Sequence, residues 1–339
     1  MGGNALSFET KRLSKDAYQN VYNDIAFALL AHFGQNISYR QVQAYRTKAD
    51  FGDLDVLVLC QSNDMKKQIS EFILTKIKPK ELVLNGGVFS FDVNDFQVDF
   101  ILAPDVDSYH FAAEYFSWND LGNFIGRTAH RLGFKHGHDG LKYVMRDEDD
   151  PSYVISEVFL TKDHDEALEF LGFDSCKHNE GFDTPEEIFE YAASSPYFSA
   201  ASFMLSNRNH IARVRDRKRK MYNMCVEYYK EKFGVDENTP VEPLDKAAHL
   251  LRAFNKFPSF YSAYTIVMAK HIKHKAYKSV FNGLTVGAIY GVEGKELGAK
   301  MKTLREFFEA FNLQEFVTSL TDTEFEKFVL MLEETGKLN

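Results

Sequence analysis

Gly52-Asp53-Leu54-Asp55 runs directly into Val56-Leu57-Val58-Leu59, and few folds accommodate two carboxylates at the head of so apolar a strand. Residues i and i+2 of a strand share a face. Asp53 and Asp55 therefore project together, roughly 7 Å apart along the backbone at ~3.3 Å rise per residue. Like charges on one face repel unless a cation lies between them. A second strand-forming run, Gln97-Val98-Asp99-Phe100-Ile101, carries a third carboxylate. Supplied from a neighbouring strand, Asp99 completes an oxygen cage suited to Mg²⁺, which binds few protein carboxylates and leaves room for substrate phosphates. Such a site suits phosphoryl or nucleotidyl transfer, with one ion at the attacking oxygen and one at the leaving phosphates. Taken alone, however, D-x-D is more often the mark of a turn or of an exposed strand edge.

The surrounding pattern predicts an α/β fold. Ser14 to Phe33 reads as an amphipathic helix with Ser14 as N-cap, its apolar face carrying Tyr18, Val21, Tyr22, Ile25, Leu29 and Phe33. Strands are expected near 37–45, 54–59, 81–84, 88–93 and 96–102, with a helix over 64–76 and a hairpin at Asn85-Gly86-Gly87. Past Gly181 the pattern turns helical. Thr184-Pro185-Glu186-Glu187 is a helix start with a threonine cap, proline at N1 and acid in the first turn. From there helices extend to Glu334, interrupted at Gly234–Pro243 and in the glycine-rich stretch 283–298.

Three segments together resemble the family X DNA polymerases, the group containing DNA polymerase β, within the nucleotidyltransferase superfamily. Tyr45-Arg46-Thr47-Lys48-Ala49-Asp50-Phe51-Gly52-Asp53-Leu54-Asp55 is similar to the family's basic loop leading into G-D-x-D. Val98 to Pro104 resembles the strand holding the third carboxylate. Tyr115-Phe116-Ser117-Trp118-Asn119-Asp120, then Asn123 and Arg127, resembles the nucleotide-binding stretch Y-F-T-G-S-D-x-x-N-x-x-x-R. Thr161 to Phe173, with Glu166 and Leu171-Gly172-Phe173, resembles the acidic helix and turn near that family's end. The likeness covers residues 38–178.

The resemblance implies a polymerase-β-like palm with mixed sheet and a thumb-like region over 1–178, followed by a mainly helical nucleic-acid-binding domain over 179–339. It implies two Mg²⁺ ions: Asp53 and Asp55 hold both, and Asp99 holds the catalytic one and accepts or relays the proton of the attacking 3′-hydroxyl. An NTP or dNTP is the substrate and a DNA or RNA 3′ end the acceptor, with pyrophosphate leaving. Arg46, Lys48 and Gly52 are expected at the triphosphate. Tyr115 and Phe116 are expected at the sugar, and Asp120, Asn123 and Arg127 at the base or opposing strand.

The chain departs from that family in three places. Gln43-Ala44 replaces the Gly-Ser that holds the triphosphate from a helix N-terminus. Trp118 replaces the glycine of Y-F-T-G-S, where a cis bond at a non-proline residue would cost ~3 kcal/mol; a trans peptide, and NTPs accepted at least as well as dNTPs, are expected instead. Gly137-His138-Asp139-Gly140-Leu141 lacks the glutamate of N-E-x-G-L. Helices placed after the palm are closer to the order in tRNA nucleotidyltransferases and poly(A) polymerases. Phe281 to Phe308 also resembles a tail segment of bacterial CCA-adding enzymes and reads equally well as glycine-capped helices in a turn, and the G-G-x-V-R-D loop of those enzymes is absent. Untemplated addition to RNA, and transfer to a protein or small molecule, stay open as alternatives.

Two basic stretches are candidate phosphate contacts: Arg208, Arg213, Arg215, Arg217, Lys218 and Lys220 on one predicted helix, and Lys273 with Lys275 further on. The formal charge of −9 over 339 residues argues against a broad nucleic-acid-gripping surface, so these local patches matter more than the total. His130, His136 and His138 lack metal-ligand spacing and are expected at the surface or in a substrate channel. Cys60, Cys176 and Cys225 form no C-x-x-C pair, which fits a reducing, cytoplasmic setting without disulfides or zinc. No apolar run reaches membrane-spanning length, and neither signal peptide nor myristoylation motif is present at Met1-Gly2-Gly3.

Overall fold

Alternation of apolar and polar residues places two layers of helix around a mixed sheet. The computed structural model describes residues 5–338. Its first elements are β1 (Leu13–Ser14), α1 (Lys15–Phe33), β2 (Tyr39–Gln41), β3 (Asp50–Phe51), β4 (Asp53–Leu59) and α2 (Asn63–Phe72). A π-helical turn, Ile73–Ile77, extends α2 until Lys78 enters the left-handed region at φ 56°. Then follow β5 (Leu82–Asn85), β6 (Val88–Val93), β7 (Phe96–Ala103), α3 (Val106–Phe116) and α4 (Leu121–Arg131). The five-stranded sheet has the order β2-β4-β7-β6-β5, with β4 and β7 parallel and the other pairs antiparallel.

Asn85 pairs with Val88, so Gly86 (φ 60°) and Gly87 make the expected two-residue hairpin turn. Leu54, Val56 and Val58 are fully buried on one face, packed with Val98 and Phe100 against Tyr18, Ile25 and Leu29 of α1 and Ile69 and Phe72 of α2. On the opposite face, Leu57 and Ala103 pack against Tyr109, Ala112 and Ala113 of α3. Period-two alternation therefore puts Asp53 and Asp55 on the α3 side of the sheet, ahead of the apolar residues that α3 covers.

A three-stranded antiparallel sheet, β8 (Lys135–Gly137), β9 (Gly140–Arg146) and β10 (Val154–Thr161), comes next, with β9 central. The helices that follow are α5 (His164–Phe170), α6 (Ser175–Glu180), α7 (Pro185–Ala192), α8 (His210–Asp216), α9 (Lys220–Phe233), α10 (Lys246–Lys256) and α11 (Pro258–Val280). Thr184 caps α7 by accepting from the Glu187 N–H, with Pro185 at N1 as the sequence predicts.

The chain divides into two units at Phe260/Tyr261, whereas the sequence pattern places a boundary at 178/179. Aromatic packing explains the difference. Phe124 of α4 meets Phe189, Phe203 and Tyr222 at 5.8–6.2 Å, and the Arg252 guanidinium lies 4.3 Å from the Phe170 ring and 4.8 Å from that of Tyr197. The helices between 181 and 260 thus share a core with the sheets. In the second unit, α12 (Gly283–Tyr290), α13 (Gly294–Ala310), α14 (Gln314–Thr318) and α15 (Asp322–Glu334) surround Phe281, Val286, Leu304, Phe308, Phe325 and Val329.

Candidate metal centre

The parallel register aligns Asp53 with Gln97 and Asp55 with Asp99. Paired residues in neighbouring strands face the same side, and the three carboxylates consequently converge. One oxygen from each of Asp53, Asp55 and Asp99 lies within 4.8 Å of the others, and among the described residues no other trio of His, Cys, Asp or Glu does this. All three residues are partly exposed, which leaves them reachable from solvent.

The electrostatics fit an oxygen-rich cation site. Burial pushes the Asp55 carboxyl well above its ordinary range, and the charges of Asp53 and Asp99 push it further; Lys48 offsets part of this. Asp99 is raised by burial and by Asp53, against hydrogen bonds from Ser90 and Gln97 that lower it. Carboxylates that resist ionisation together are held as anions by a divalent cation, and three single-oxygen donors with room for water match the hard, octahedral preference of Mg²⁺. The donor set fits the ion expected from the sequence.

Lys48 belongs to this site. Burial lowers its ammonium pKa, Asp53 and Asp55 raise it, and its nitrogen lies 4.7 Å from the Phe51 ring centre. Gly52 forms the buried bend between β3 and β4. The loop after β2 carries Arg46, whose guanidinium pairs with Asp183 at 2.7 Å, donates to the Glu180 carbonyl and lies 5.9 Å from the Trp118 ring. Backbone bonds fasten this loop to the end of α3: Trp118 N–H donates to the Gln43 carbonyl at 2.8 Å. Tyr45 N–H reaches Asn119 Oδ1 at 3.4 Å.

No cis peptide occurs among the described residues; Trp118 and Asn119 turn the chain at φ 63° and 62°. The buried indole packs so tightly under Gly181 that a Cβ there would lie 2.3 Å from Trp118 Cη2. Tyr115 and Phe116 stand in edge contact at 5.2 Å, and His138 stacks on Phe116 at 5.8 Å. Gly122 lets α4 start against α3, since a Cβ at that position would lie 2.2 Å from the Tyr115 carbonyl oxygen.

Several of the remaining candidate residues already have partners. Asp120 pairs with Arg219 at 2.9 Å, and Arg127 donates to the Ser202 carbonyl beside the Phe203 ring. Lys273 pairs with Glu315 at 2.7 Å. Asn123 is partly exposed on the first turn of α4, and Lys275 is exposed on α11.

The basic stretch 208–220 is not one helix. It is α8, a break over Arg217–Arg219, and the start of α9. The break follows from Asp216, which is fully buried and draws in Arg208 and Arg215, each at 2.9 Å. Arg213 donates to the Arg208 carbonyl. Arg217, Lys218 and Lys220 remain exposed. Asp216→Ala would leave buried guanidinium charge uncompensated, and a loss of about 3–5 kcal/mol is expected in urea unfolding. The same measurement on Arg217→Gln should stay within about 0.5 kcal/mol of wild type.

Sequence reasoning missed Gln97 and Ser90, which touch Asp99, and its only signal was that Gln97 lies two residues before Asp99 on the same face. It also placed His136 at the surface or in a channel, but His136 is buried. That ring meets His164 at 5.8 Å, and His164 meets His178 at 4.8 Å. No helix of the described residues is long and apolar enough to cross a membrane. No protein-family model matches the chain, and no curated protein sequence matches it.

Proposed function

We propose that this chain is a Mg²⁺-dependent nucleotidyltransferase built on a polymerase-β-like palm, moving a nucleotide from an NTP or dNTP to the 3′-hydroxyl of a nucleic acid. The observation that carries this reading is the convergence of Asp53, Asp55 and Asp99 from two parallel strands. Bound Mg²⁺ would supply charge neutralisation at the triphosphate and acidify the attacking hydroxyl. Asp53 and Asp55 would hold both ions, and Asp99 one of them. The reaction joins the 3′-oxygen to the α-phosphorus and breaks the bond to the pyrophosphate, which departs with its electron pair; the hydroxyl proton passes to Asp99. Lys48, beside Asp53 and Asp55, would meet the triphosphate's negative charge. Catalysis of this kind is mostly positioning and charge stabilisation. Incubation with labelled NTPs or dNTPs, Mg²⁺ and a panel of gapped DNA, single-stranded DNA and tRNA tests it; no incorporation into any acceptor would refute it.

One observation favours a second reading, transfer to a protein or small-molecule hydroxyl. Arg208 and Arg219 are drawn into ion pairs with Asp216 and Asp120, so the basic surface is smaller than the sequence suggests. The two readings separate by salt dependence. If residues 213–220 grip phosphates, replacing Arg213, Arg217 and Lys220 by glutamine weakens nucleic-acid binding. It also flattens the log–log salt slope by roughly 0.7–0.9 per lost contact. An unchanged slope in a filter-binding titration would move the acceptor away from nucleic acid.

A further inference from the structure

Gln97 is almost wholly buried, 2 % exposed, and its amide nitrogen lies 3.0 Å from one oxygen of Asp99 and 2.9 Å from the other. Nearly equal distances place the donor midway between the two oxygens, the side from which a cation would chelate both. The amide cannot simply flip. Its oxygen accepts the Ala5 backbone N–H at 2.9 Å, so a reversed amide would set oxygen against carboxylate and N–H against N–H. Ser90, the antiparallel partner of Asp99 in β6, adds a further hydrogen bond.

We propose that Gln97 is a positioning residue that makes Asp99 a one-oxygen ligand and thereby sets which divalent cation the site prefers. The proposal rests on the cation-site reading above. With the chelating side occupied by an amide, Asp99 offers one outward oxygen to a cation and keeps the other for a hydrogen bond. Single-oxygen donors suit Mg²⁺, which demands octahedral geometry at 2.0–2.1 Å, whereas Ca²⁺ takes six to eight oxygens and readily accepts both from one carboxylate. Partners that orient metal ligands typically alter affinity about 10–100-fold when removed.

The test is calorimetric titration of the full chain with MgCl₂ and with CaCl₂, without nucleotide, for wild type and Gln97→Met. Methionine keeps the length of the side chain and removes the donor. The ratio of the Ca²⁺ to the Mg²⁺ dissociation constant should fall about tenfold or more in the variant, through weaker Mg²⁺ binding, tighter Ca²⁺ binding, or both. A purely packing role would weaken both ions alike, and an unchanged ratio overturns the proposal. Gln97→Asn, which draws the donor back by one methylene, replaces Gln97→Met if that variant does not fold. Wild-type protein that binds neither ion would refute the cation site itself, an outcome distinct from an unchanged ratio.

Discussion

Asp55→Asn should lower nucleotide transfer by a thousandfold or more, about 4 kcal/mol of barrier, while the Mg²⁺-free protein melts at the same temperature or higher. The two effects have one cause. Asp55 is held against Asp53 and Asp99 at a cost that Lys48 offsets only in part, and asparagine removes both the ligand and the repulsion. The sign follows from its raised pKa. A carboxyl that is harder to ionise in the folded state contributes stability at low pH and loses it as pH rises through the folded value. Wild type without Mg²⁺ should therefore lose stability along that limb, and Asp55→Asn should lose less, only the share of Asp99 remaining. Each kcal/mol of relief appears as a rise of roughly 2–4 °C. A large fall in melting temperature would make Asp55 structural, and full activity in Asp99→Ala would end the three-carboxylate scheme.

Acid should destabilise the protein through a second cluster. His136, His164 and His178 are buried, and desolvation lowers all three, His136 and His178 to about 4. Both ring nitrogens of His164, Nε2 of His136 and Nδ1 of His178 are buried without hydrogen-bond partners. A folded pKa below the unfolded value means that the unfolded chain binds more protons, so stability falls as pH drops from about 6.5 toward 4. The raised Asp55 and Asp99 act oppositely near this window, and comparison with His164→Leu cancels their contribution. The variant's stability should fall less steeply than wild type's, by up to about 1.4 kcal/mol per pH unit for the one proton removed. Urea midpoints measured every half pH unit check this, and parallel slopes would show that His164 takes up its proton without unfolding.

The sheet and the acid trio were legible because period-two patterning is a local signal. Val56 and Val58 faced one side and Asp53 and Asp55 the other, and only the parallel register of β4 and β7 was needed to bring in Asp99. The extent of the first unit was not legible. Thr184-Pro185 marks where α7 starts, but nothing local says that Phe189 and Tyr222 pack on Phe124 of α4. Asp216 shows the same limit. In a run of arginines it reads as one acid on a basic surface, whereas burial makes it the group that folds Arg208 inward and pairs with Arg215 from the surface. His136 was misread because its buried neighbours His164 and His178 lie on other elements, α5 and α6, and no spacing in the chain links them.

The stretch from Ala5 to Ser14 has a practical consequence for anyone expressing the protein. Ser7 is bonded to Glu81, Lys11 N–H to the Asp95 carbonyl, and Leu13 and Ser14 pair with Phe51 and Asp50 beside the first aspartate. A purification tag or fusion partner attached just ahead of Ala5 would load the very residue that steadies Gln97. A preparation handled that way could look inert for reasons unrelated to the native protein. A C-terminal tag leaves this anchorage untouched and is the sounder starting material for every assay proposed above.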